Sequence, residues 1–108
     1  MRNANEMRTI ANNYNAQFDI KFADDIIDRK VEEKILKNAK NGEYLAMVEA
    51  ETLAVAIRCG MQNGNEIVDR VKYKGVLARA KELIEANGYT AEIVGDFKVV
   101  IRWNIEEE

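Results

Sequence analysis

Asp24, Asp28 and Glu32 stand four residues apart, so a helix would set their carboxylates in one row, with Asp25 beside them. Such a row of oxygen ligands could hold a divalent cation. Arg29 and Lys30 sit close enough to neutralise it, and no calcium-type loop with a central Gly and a closing Glu accompanies it. A solvated helix face, without a metal, is therefore the expectation. A second group is basic. Residues 58–81 carry Arg58, Arg70, Lys72, Lys74, Arg79 and Lys81 against Glu66 and Asp69, six minus two, a local net of +4. Arg70, Lys74 and Lys81 recur at spacings of four and seven, which predicts a positive ridge fit for phosphates or an acidic partner.

Nucleophilic chemistry finds little support. The 108 residues contain no His, no Ser and one Cys, so Cys59 has no imidazole to activate it and serine-type catalysis is excluded. The hydroxyls available are Thr9, Thr52, Thr90 and the tyrosines. Gly60 and Gly64 lack the Lys-Ser/Thr that completes a phosphate-binding loop, and no G-x-G-x-x-G occurs. A lone thiol forms no intramolecular disulfide and no Cys-based zinc site. No cofactor is expected, and the chain reads as a non-enzyme.

Length and composition suit one domain over 1–108, with 47% hydrophobic and 32% charged residues. Apolar runs are short, as at Leu45-Ala46-Met47-Val48, and the N-terminus lacks the apolar core of a signal peptide. No membrane association and a cytoplasmic location are expected. The net charge of −3 averages a basic middle and an acidic end, since residues 82–108 hold seven acids against Lys98 and Arg102.

Several elements must position these groups. Met7, Ile10, Ala11 and Tyr14 predict a helix over 4–17, weakened by five Asn residues between 3 and 15. Residues 1–18 are expected to dock or to project as an arm. Asp19 as N-cap and the stripe Ile20, Ala23, Ile27, Val31, Ile35, Ala39 predict a helix from about 19 to 41, stopped by Gly42. Tyr44 to Glu49 reads as a strand. Residues 50–61 fit both helical and alternating periods, and their Ala content favours helix. Gln62 to Asn65 reads as a loop. A third amphipathic helix over 67–87 carries Tyr73, Val76, Leu77, Ala80, Leu83 and Ile84 on one face, with Gly75 as a weak point and Gly88 as its stop. Tyr89–Val94 and Phe97–Asn104 read as strands joined at Gly95-Asp96 by a two-residue hairpin turn. Residues 105–108 form an acidic tail.

This order predicts an α+β domain. A helical crossover joins strands 1 and 2 as neighbours, strand 3 adds by the hairpin, and the helices cover one face of the three-stranded sheet. The other face, with Tyr89, Val94, Val100, Arg102 and Trp103, would present an apolar patch and open strand edges to a partner. Tyr44 and Tyr89, each following an Asn-Gly helix stop, are expected to pack beside the helix ends rather than to stack a ligand.

The helix ending Ala39-Lys40-Asn41-Gly42-Glu43-Tyr44, the second ending Ile84-Glu85-Ala86-Asn87-Gly88-Tyr89, and the closing Ile101-Arg102-Trp103 resemble small proteins of tailed bacteriophages and prophages. The resemblance spans roughly residues 30–104, omitting 50–66, and Arg102 stands where those proteins more often carry Ser. It implies a viral origin, a host-cytoplasmic location with incorporation into the virion, and a structural or binding role. The expectation is thus a multi-copy virion or assembly component acting through protein contacts, as a homo-oligomer. The interaction residues would be Arg70, Lys74, Lys81, Tyr89, Val100, Arg102 and Trp103. The alternative is a host-takeover protein binding a host enzyme, a nucleotide signal or nucleic acid, with Lys72, Lys74 and Lys81 in the lead.

Overall fold

The computed structural model describes residues 1–103; the acidic tail 105–108 lies outside the described residues. The chain runs α1 (Ala4–Ala16), a 3-10 turn (Ile20–Ala23), α2 (Asp24–Lys40), β1 (Leu45–Glu49), α3 (Ala50–Gly60), α4 (Gly64–Ala86), β2 (Thr90–Val94) and β3 (Lys98–Arg102). This is the expected α+β domain with a three-stranded sheet. The ambiguous stretch 50–61 is helical, and its apolar side, Leu53, Ala54 and Ile57, is fully buried.

Strand order differs from expectation. β3 lies in the centre, antiparallel to both β1 and β2, so the helical crossover joins two outer strands that do not touch. The sequence-adjacent hairpin therefore inserts its second strand into the gap, a split βαβ arrangement. The cause is the composition of β3, whose Val99, Val100 and Ile101 are all buried and demand a central position, while β1 and β2 carry Glu at their exposed positions. The hairpin loop is also one residue longer than expected. Val94 pairs with Lys98, leaving Gly95, Asp96 and Phe97 in the turn, with Gly95 at φ 60° and Phe97 turned out to solvent.

Ala46, Val48, Val99 and Ile101 face the helices and meet Ile27, Val31, Leu53, Ile57, Leu77 and Ala80 in one core. The opposite face carries Leu45, Met47 and Glu49 on β1, Lys98, Val100 and Arg102 on β3, and Thr90, Glu92 and Val94 on β2. Among the described residues no helix covers it.

Two expected helices are interrupted. Asp19 caps the 3-10 turn by accepting from the Lys21 backbone N–H at 2.9 Å, and α2 begins only at Asp24. α4 starts at Gly64, inside the expected loop, because the chain there crosses tightly over α3; a Cβ on Gly64 would collide with the Ile57 carbonyl. α4 then breaks at Lys72, whose φ of 66° and ψ of 174° are not helical. At 100° per residue, the buried Gly64, Ile67 and Val68 lie on the side of an unbroken helix opposite to Val76, Leu77, Ala80 and Ile84. The break turns both stripes toward the core, and Gly75 admits Val71 closely where a Cβ would not fit. Tyr73, expected on the buried face, is consequently exposed.

Lys72 occupies backbone space that favours glycine, at a cost on the order of 1–3 kcal/mol. Lys72→Gly is therefore expected to raise stability by about 1 kcal/mol, read as a higher urea midpoint at unchanged slope. A lower midpoint would mean that residue 72 is helical.

Candidate functional site

The carboxylate row is divided by a cation from another helix. Arg79, on α4, donates through Nε to Asp24 Oδ1 at 2.8 Å and through Nη2 to Oδ2 at 2.6 Å, a two-pronged bond joining α4 to the start of α2. Its Nη1 donates to Glu82 at 2.6 Å. The Asp24 hydrogen bonds, then that of Glu82, hold the guanidinium pKa above its ordinary value. Asp28 and Glu32 remain, on the rim of a cleft of about 200 Å³ between α2 and the end of α4, walled by Ile27, Val31, Leu83, Ile84 and Tyr89. Among the described residues no three His, Cys, Asp or Glu side chains converge as metal ligands.

The basic ridge is dispersed as well. The break at Lys72 separates Arg70 from Lys74 and Lys81, so the three do not share one helical row. Arg70 donates to Asn15 at 2.7 Å and lies 4.4 Å from the centre of the Phe18 ring, joining α4 to the root of α1. Lys81 pairs with Glu85 at 2.9 Å, Arg58 with Asp69 at 3.3 Å, and Lys74 is exposed. With Arg58, Arg70, Arg79 and Lys81 already engaged, Lys72 and Lys74 are the cations of this stretch with no such partner among the described residues, a small footprint for a phosphate backbone.

The four hairpin residues divide between the two sides of the sheet. Tyr89 and Trp103 turn toward the helices, packed against the core and edge-to-face with each other at 6.1 Å. The Trp103 backbone N–H donates to the Tyr44 carbonyl at 3.1 Å, which sets Tyr44, Trp103 and Tyr89 in one row across the sheet end. Val100 and Arg102 point outward. Arg102 is exposed and lies 3.7 Å from Glu92, whereas Val100 is only 7% exposed at the centre of its face, between Met47 and Glu92. The expected continuous patch is therefore absent in that form. The accessible apolar residues of the outer face are Leu45, Met47 and Val94, with Phe97 at its corner.

Sequence reasoning undervalued α1. Its N-terminus is well made: Asn3 Oδ1 accepts from the Glu6 N–H at 2.9 Å, and Glu6 accepts from the Asn3 N–H at 3.2 Å. None of its residues is buried. Met7 and Ile10, half-exposed at 56 and 47%, are uncovered, while Tyr14 at the root packs edge-on to Phe18 at 5.2 Å with Arg70 5.6 Å from its ring centre. The molecule measures 64 × 31 × 22 Å, with a radius of gyration of 16.7 Å against roughly 13 Å for a compact domain of this length. The arm accounts for the excess. The signal was present in the sequence as an amphipathic period in an Asn-rich segment, since such a helix gains its stability by docking.

Among the described residues no helix is long and apolar enough to cross a membrane. Comparison with protein-family models, with curated proteins and with solved structures finds no match in any of the three.

Proposed function

We propose that this protein is a non-enzymatic contact protein, a multi-copy virion or assembly component of a tailed bacteriophage, synthesised in the host cytoplasm. One observation carries the contact role: among the described residues the amphipathic helix α1 is tied to the domain only at its C-terminal root, and Met7 and Ile10 on its apolar side are uncovered. A folded chain that leaves Met7 and Ile10 in water does so at a cost that a partner recovers. The outer sheet face, apolar through Leu45, Met47 and Val94, adds a second surface of the same kind. The phage origin is supported by the helix stops at Tyr44 and Tyr89 and the closing Ile101-Arg102-Trp103.

Dispersal of the basic ridge favours protein over nucleic acid as partner. Mass spectrometry of purified virions provides the test. Peptides of this chain at many copies per particle are the expected result, and their absence from intact particles would contradict a virion role.

A further inference from the structure

Two uncovered surfaces on this chain match each other. α1 is 13 residues long, about 20 Å of helix. The outer sheet face, three strands of five residues, measures about 17 by 14 Å. Its apolar residues form a diagonal, Leu45 and Met47 through Val100 to Val94. Glu92 and Arg102 flank that diagonal on one side, Glu49 and Lys98 on the other. On α1, Met7, Ile10, Ala11 and Tyr14 share one side, and Glu6 and Arg8 flank it on opposite edges. Each edge of the diagonal carries one acid and one base, and Arg102 already lies 3.7 Å from Glu92, so the match between helix and face is one of apolar surface and length.

The arm cannot serve its own sheet. Its root is bonded to α4 through Arg70 to Asn15 and through the Asn63 amide donating to the Gln17 carbonyl, and α4 belongs to the layer behind the sheet.

We propose that α1 of a second copy of this chain lies across the outer sheet face, and that two copies exchange arms about a two-fold axis. The inference rests on the contact role above and names its partner. Each seated arm adds the helical layer that the outer face lacks. Two such contacts bury on the order of 1,000 Å², the scale at which a specific interface holds. A closed exchange leaves neither surface bare, whereas an open one leaves one of each at the ends.

Disulfide trapping tests the arrangement. In a Cys59→Ala background, Ile10→Cys and Met47→Cys are placed on separate chains, mixed, equilibrated and oxidised with copper phenanthroline. Both positions are exposed, so both variants are expected to fold. The expected product is a mixed Ile10→Cys/Met47→Cys disulfide, at least tenfold more abundant than that formed with Lys37→Cys, on the exposed side of α2. Preferential Ile10→Cys self-pairing, or no preference over Lys37→Cys, in a chain that still associates overturns the arm-on-sheet contact and leaves the contact role standing. A mass series beyond the dimer overturns the closed exchange. A chain monomeric under all conditions overturns the inference and the self-association on which it rests.

Discussion

Replacing Met7 and Ile10 together by Ser is expected to weaken self-association on the order of a hundredfold or more while leaving the fold intact. Burying an apolar side chain of this size stabilises by roughly 1.5–3 kcal/mol, and each 1.4 kcal/mol is a factor of about ten in affinity. Both residues are half-exposed and touch no core residue, so the loss falls on the complex rather than on the domain. Light scattering across a dilution series reads the shift, and an unchanged urea midpoint shows that the domain is undisturbed. Retained association with both residues replaced would remove α1 from the interface.

Ile101→Ala is expected to act in the opposite sense, costing about 2–5 kcal/mol of stability. Ile101 is fully buried, pairs with Ala46 and Ala91 across the sheet, and faces the core. Against a total of roughly 5–15 kcal/mol, that loss lowers the urea midpoint severely. Met47→Ala, on the outer face of β1, should change it by less than about 0.5 kcal/mol. Val100, expected from sequence as an interface residue, behaves like Ile101 here: Val100→Asp would bury a carboxylate at the centre of the sheet and unfold the domain. Trp103 likewise packs against the core. Polar substitutions at those two positions therefore report folding, and Met47 and Leu45 are the cleaner probes of contact. Equal losses for Ile101→Ala and Met47→Ala would show that the sheet is buried on both faces.

Much of this fold was legible because local signals agreed. The stripe from Ile20 to Ile35 has the helical period, Gly42 and Gly88 stop their helices at positive φ, and strand alternation sets Ala46 and Val48 on one face, which the fold buries. Strand order was less legible, since adjacency in sequence favoured β1 beside β2, while the deciding fact was that three consecutive residues of β3 require burial. The break at Lys72 was readable in principle. The stripe through Ile67 and Val68 lies opposite the one through Val76 and Leu77, and an unbroken helix cannot bury both. Long-range pairing of the charged side chains was invisible. Asp24 and Arg79 are 55 residues apart, as are Asn15 and Arg70, and only the tertiary fold brings them together. The interface residues chosen from sequence consequently scattered, whereas Met7 and Ile10, part of the α1 period, marked a surface that the fold leaves open.

Self-association is the claim on which the rest depends, and sedimentation equilibrium of the unmodified chain from micromolar to millimolar concentration tests it most directly. The chain mass is 12.3 kDa. Arm exchange predicts a weight-average mass that rises with concentration and levels at twice that value. A mass that stays at the monomer value across the whole range would contradict it.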